Sequence, residues 1–123
     1  MNDVLFVEYP KCTTCKKARK WLEENGVDFA ARHIVEENPS AEELRDWRSR
    51  GGYALRRLFN TSGVKYRELE LKDKLDAGMG DEEAYEILAS DGMLVKRPIL
   101  IGEDFAFFGF KEAEWSEAFG VSR

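Results

Sequence analysis

Cysteine and histidine are scarce in this chain of 123 residues, which has two cysteines and a single histidine, His33. That set cannot fill the four-ligand site of a structural zinc within one chain, so no metal is expected. Long apolar stretches are missing too: no run approaches the length needed to cross a bilayer, and there is no repeat or low-complexity tract. Met1-Asn2-Asp3 lacks the basic region and long apolar segment of a secretory signal. The expected location is therefore the cytoplasm, where a cysteine pair is more often redox-active than structural. Positive charge is in deficit, with a net charge of −5. This argues against general nucleic-acid binding, whose affinity comes chiefly from lysine and arginine meeting phosphates. What remains is a chain with 43% hydrophobic and 35% charged residues, a length that fits one domain over residues 1–123, and a core that needs no disulfide staples.

The chain is organised around Tyr9-Pro10-Lys11-Cys12-Thr13-Thr14-Cys15-Lys16-Lys17. The preceding Val4-Leu5-Phe6-Val7 reads as a short buried strand closed by Pro10, and Ala18, Trp21 and Leu22 then recur at helical spacing up to Asn25-Gly26. Cys12 thus falls at a helix N-terminus, where unpaired backbone N–H groups and the positive end of the macrodipole favour a thiolate. Residues 11–20 hold five basic side chains and no acid. Cations at a helix N-terminus oppose the dipole, so the local pattern calls for a negative atom, either a thiolate or a bound oxyanion. Cys12 is expected to face solvent and Cys15 to turn inward with Ala18 and Leu22, the geometry of a nucleophile and a resolving thiol. An inert buried pair is the plain alternative.

Beyond this helix, Val27 to Val35 reads as a second strand that includes His33. The pattern Ser40 to Glu43 is a capping box opening a helix packed through Leu44 and Trp47 and stopped at Gly51-Gly52. Leu55, Leu58 and Phe59 indicate a short helix, Asn60 to Gly63 a turn, Tyr66 to Leu75 a helical stretch, and Asp81 onward a helix ending near Asp91-Gly92. Residues 40–92 are therefore expected to form an almost entirely helical block. Pro98-Ile99-Leu100-Ile101 and Phe105-Ala106-Phe107-Phe108 read as a hairpin, followed by a helix from Lys111 to Phe119. This order implies a mixed sheet flanked by helices, parallel at its N-terminal pair and antiparallel at its C-terminal pair.

Together with the C-x-x-C pair, Asn60-Thr61-Ser62-Gly63, Tyr66-Arg67-Glu68-Leu69, Leu71-Lys72-Asp73 and Lys96-Arg97-Pro98-Ile99 give a sequence that resembles the thioredoxin-like arsenate reductase and Spx family over nearly its full length. The resemblance implies an α/β, thioredoxin-like, four-stranded mixed sheet with an inserted all-helical subdomain at about 40–92, and a cis bond before Pro98 facing the cysteines. It implies attack by Cys12, release by Cys15, and an anion held by Thr13, Thr14, Lys16, Arg56 and Arg97. A third arginine expected near the last strand is replaced by Gly109, and Cys15 and Lys16 stand where the glutaredoxin-dependent reductases usually carry serine and arginine. These departures lean toward the Spx-like branch.

Two functions of different kinds follow from the resemblance. One is a thiol oxidoreductase without a bound cofactor, acting on disulfides or an oxyanion such as arsenate, with electrons from glutaredoxin and glutathione or from thioredoxin. The other is an Spx-like regulator that binds RNA polymerase and uses the cysteine pair as a redox switch. A member that has kept the fold and lost activity is a third reading. None of the three requires direct contact with nucleic acid or membrane.

Overall fold

A computed structural model describes residues 4–121; Met1, Asn2 and Asp3 lie outside that range. Four strands, β1 (Leu5–Glu8), β2 (Ala30–His33), β3 (Ile99–Ile101) and β4 (Ala106–Phe108), form one sheet in the order β2-β1-β3-β4. The pair β1 and β2 is parallel, with Leu5 opposite Ala30, while β3 is antiparallel to both β1 and β4. Parallel pairing needs a crossover, which α1 (Thr13–Glu24) supplies, and the antiparallel β3 and β4 need only a short turn.

Alternation along the strands divides the core in two. Phe6 and Leu100 point to one face, where they pack with Ala18, Trp21 and Leu22 of α1 and Trp115 of α6 (Glu112–Phe119). Val7, Ile99 and Ile101 point to the other, against Leu44 and Trp47 of α2 (Ala41–Gly51) and Ala84, Tyr85 and Leu88 of α5 (Asp81–Ser90). Burial on both faces explains why β1 and β3 read as continuous apolar runs. The result is the thioredoxin-like arrangement with the helical block inserted between β2 and β3.

The Ser40 hydroxyl accepts the Glu43 N–H at 3.1 Å and the Glu43 carboxylate accepts the Ser40 N–H at 3.0 Å, so the expected capping box is formed. Gly52, at φ 71°, closes α2 in the left-handed region. Two expectations need correction. The stretch Tyr66 to Leu75 is not one helix but two, α3 (Val64–Glu68) and α4 (Leu71–Asp76), separated where Glu70 adopts φ 54° and ψ 40°. The second strand is shorter than Val27–Val35, because only Ala30 to His33 lies in register with β1 before the chain turns. Two short 3₁₀ turns, Leu55–Leu58 and Gly92–Leu94, complete the block.

Candidate active site

Cys12 sits where β1 ends and α1 begins. Its N–H donates to the Tyr9 carbonyl at 2.9 Å, which closes the turn through Pro10 and Lys11, and its own carbonyl accepts the Lys16 N–H at 3.0 Å as the first bond of the helix. Cys12 is thus the N-cap residue, and its sulfur accepts the Cys15 N–H at 3.4 Å in the place where a serine or aspartate oxygen usually caps. Cys15, one turn in, is fully buried beside Ala18 and Leu22, while Cys12 is half-buried, and both thiols are free.

Register brings the cationic partner. Because β3 runs antiparallel to β1 with Ile99 opposite Val7, the chain just before β3 returns to the end of β1 from which Cys12 emerges. Arg97 therefore lies at Tyr9, its guanidinium carbon 5.1 Å from the ring centroid, and its Nη1 donates to the Met93 carbonyl at 3.4 Å. The Arg97–Pro98 peptide is cis, as the resemblance implied. A second wall comes from the helical block: Phe59 bridges Val95, the Lys96 N–H donates to the Leu58 carbonyl at 2.8 Å, and the Asn60 N–H donates to the Leu94 carbonyl at 2.8 Å. These bonds lay the turn at residues 60–63 alongside residues 93–97. Between the walls is a cavity of about 560 Å³, lined by Cys12 and Thr14 of α1, by Asn60, Ser62, Gly63, Val64, Lys65 and Glu68 of the block, and by Met93, Lys96 and Arg97.

The two thiols are electrostatically unequal. Burial by itself raises the Cys12 pKa, but the hydrogen bonds from Cys15 and the Arg97 guanidinium outweigh it, and the net shift is downward. Burial pushes the Cys15 thiol up to about 12; a hydrogen bond from the Tyr9 backbone opposes this, and the neighbouring Cys12 adds to it.

Of the residues expected at an anion site, Cys12, Thr14 and Arg97 share the cavity. Thr13 and Lys16 are exposed on α1 and do not line it. Arg56 is not brought to the cavity either: the 3₁₀ turn directs it to Asp76 of α4, with Nη2 2.5 Å from Oδ1. Gly109 brings no charge, and its N–H donates to the Pro98 carbonyl at 2.7 Å. His33 stays a strand residue whose Nδ1 accepts the Val35 and Glu36 N–H groups at 3.1 Å. The polar cavity residues missed from sequence include Asn60, Ser62, Lys65 and Lys96; Asn60, Ser62 and Lys96 were signalled only by membership of the motifs Asn60-Thr61-Ser62-Gly63 and Lys96-Arg97-Pro98-Ile99, and Lys65 by neither. Among the described residues no cluster of three or more potential metal ligands exists, and no helix is long and apolar enough to cross a membrane.

The curated relatives include the uncharacterized protein YusI of Bacillus subtilis (strain 168), 51% identical over 112 residues that span 91% of this chain and 94% of YusI. They also include the regulatory protein MgsR of the same organism, 29% identical over 92% of this chain and 87% of MgsR. Among solved structures, an ArsC family related protein from Bacteroides fragilis is similar with a TM-score of 0.90 and 47% identity, over 94% of this chain and 96% of the other. Residues 7–118 match the ArsC family. With this match over nearly the whole chain, a thioredoxin-like sheet and a close cysteine pair at the head of α1, the chain belongs to the ArsC family.

Proposed function

We propose that this protein is a cytoplasmic thiol-disulfide oxidoreductase in which Cys12 is the nucleophile and Cys15 the resolving thiol. The observation that carries the reading is the placement of Cys12 as the N-cap of α1 with Arg97 beside its sulfur and an open cavity in front of it. The Cys12 thiolate attacks one sulfur of a substrate disulfide, forming a mixed disulfide and releasing the first thiolate. Forming that bond removes the Cys12 negative charge, and with it one of the causes that hold the Cys15 proton in place. Cys15 then loses its proton and attacks the Cys12 sulfur, releasing the second thiol and leaving a Cys12–Cys15 disulfide. Two electrons from glutaredoxin with glutathione, or from thioredoxin, restore the dithiol. Thr14 and Arg97 are the expected residues that hold an anionic group at the sulfur, and an oxyanion such as arsenate is a candidate substrate of the same site. Pro98, buried and preceded by the cis bond, is the expected structural residue of the site.

A second reading is favoured by the identity to MgsR, whose description is regulatory. In it, the same cysteine pair is a redox switch on a surface that binds RNA polymerase, without turnover. One experiment separates the two. NADPH consumption is measured with arsenate and with a small disulfide, supplying glutaredoxin and thioredoxin systems separately, and RNA polymerase capture is compared for the reduced and oxidised protein. Turnover dependent on Cys12 supports the enzyme; absence of turnover with redox-dependent capture supports the regulator.

A further inference from the structure

Arg97 is held less by charge than by a ring. No carboxylate among the described residues pairs with it, and its Nη1 reaches the Met93 carbonyl only at 3.4 Å, at the long end for an N–H donor. Its guanidinium lies over the face of Tyr9, with the carbon 5.1 Å from the ring centroid. Register makes this meeting: moving along from the Val7–Ile99 pair, Tyr9 follows β1 where Arg97 precedes β3, so the two stand as cross-strand neighbours. The Tyr9 ring is braced in turn. His33 meets it at right angles, 5.8 Å between centroids, and the His33 ring is itself pinned by accepting the Val35 and Glu36 N–H groups at Nδ1. The main chain of Tyr9 serves the thiols, since its carbonyl accepts the Cys12 N–H at 2.9 Å and its N–H bonds to Cys15. One residue thus touches both the turn that carries Cys12 and the cation beside it.

We infer that Tyr9 is a positioning residue for Cys12: its ring holds the Arg97 guanidinium toward the sulfur, while its backbone holds the turn that presents that sulfur. This rests on the reading of Cys12 as nucleophile and adds to it the residue that sets its cation. Arg97 is among the causes that lower the Cys12 pKa. A guanidinium on a long side chain acts on a thiolate only while it is kept near, because rotamer freedom otherwise spreads it into solvent, where its field is weak. The contact is to the face of the ring and not to the hydroxyl, so phenylalanine would serve in its place and an aliphatic side chain would not.

The test follows iodoacetamide alkylation against pH on the full chain in a Cys15→Ser background, where the Cys12 thiolate displaces iodide and the midpoint of the rate profile reads its acidity. Tyr9→Leu is expected to raise that midpoint by about half or more of the rise produced by Arg97→Ala, and Tyr9→Phe to keep the midpoint of the parent. With Arg97 already replaced by alanine, Tyr9→Leu should move the midpoint no further, since the ring acts through the arginine. An unmoved midpoint in Tyr9→Leu overturns the inference. So does a rise of the same size in the Arg97→Ala background, which would mean that the ring acts on the thiol by packing alone. NMR of the chain with its own Tyr9 gives a second readout that does not depend on whether Tyr9→Leu folds. There the ring current of Tyr9 should shift the Arg97 side-chain protons upfield, and random-coil shifts would also overturn the inference. The oxidoreductase reading fails separately: turnover with an unmoved Tyr9→Leu midpoint removes the role of Tyr9 and keeps the enzyme, and a raised midpoint without turnover does the reverse.

Discussion

The sulfur of Cys12 caps the helix that carries Cys15, accepting the Cys15 N–H at 3.4 Å. The proposed nucleophile is therefore also a structural element of α1, and the two roles are separable by substitution. Serine is a good N-cap residue, so Cys12→Ser should melt at or above the parent temperature, whereas Cys12→Ala should lose about 0.5–2 kcal/mol. Thermal denaturation of the two reduced proteins checks this, and equal losses for both would mean that the sulfur does not cap.

Arg97 and Arg56 offer a contrast between the two arginines expected at the anion site. Arg97 lies at the sulfur, while Arg56 is committed to Asp76 outside the cavity. Arg97→Ala should raise the Cys12 pKa and slow thiol reaction near neutral pH by roughly tenfold, since a hydrogen bond to a charged group is worth about 1.5–3 kcal/mol before solvent screening. Arg56→Ala should leave the rate as it is. Stopped-flow alkylation at a fixed pH reads both, and a larger effect at Arg56 would reverse the assignment.

Gly92 governs how the segment bearing Lys96 and Arg97 approaches the sheet. A Cβ there would lie 2.1 Å from the Ile34 carbonyl oxygen and 2.8 Å from its carbon, and neither backbone atom can move aside cheaply. Gly92→Ala should cost about 1–3 kcal/mol or more in urea denaturation, and should shift Cys12 toward ordinary cysteine acidity as Arg97 is displaced. A fully stable variant would mean that the segment has another way to seat.

Acid sensitivity should come in part from Glu43. Arg32 grips its carboxylate through two bonds of 2.7 and 2.8 Å and holds its pKa below the usual carboxylate value, with the Ser40 N–H assisting against burial. A carboxylate whose pKa is lower folded than unfolded adds stability above its unfolded pKa, and that stability is lost as pH falls through the folded one. Glu43→Gln should thus destabilise at pH 7 by no more than about 1 kcal/mol, because the pair is partly exposed. The difference from the parent should shrink as pH drops below about 4. A difference that stays constant with pH would show that shape rather than charge is what matters at this position.

Much of this molecule is legible from residues alone, for reasons that are local. Cys12 precedes an amphipathic run, Ser40 and Glu43 stand at capping-box spacing, and β1 and β3 are short apolar runs bounded by turn residues. The break at Glu70 is not legible, because Leu69-Glu70-Leu71 contains neither glycine nor proline. The far wall of the cavity is also hidden from periodicity: Asn60, Ser62 and Lys65 are brought to Lys96 and Arg97 by the pairing of Phe59 with Val95 and its flanking bonds, across a long stretch of chain. The direction of Arg56 is hidden for a related reason, since helical spacing does not say which side of a four-residue 3₁₀ turn faces the sheet.

The most direct test of the central claim follows the rate of iodoacetamide alkylation against pH in Cys15→Ser and Cys12→Ser. Cys15→Ser should keep a fast thiol that titrates below the ordinary cysteine value of about 8.5. Cys12→Ser should leave Cys15 slow across the neutral range. Its pKa should fall short of about 12, because the contribution of Cys12 is gone, yet stay above the ordinary value, because burial is the largest cause of its shift. If Cys15 is the faster thiol, or if both titrate like free cysteine, Cys12 is not an activated nucleophile and the account fails.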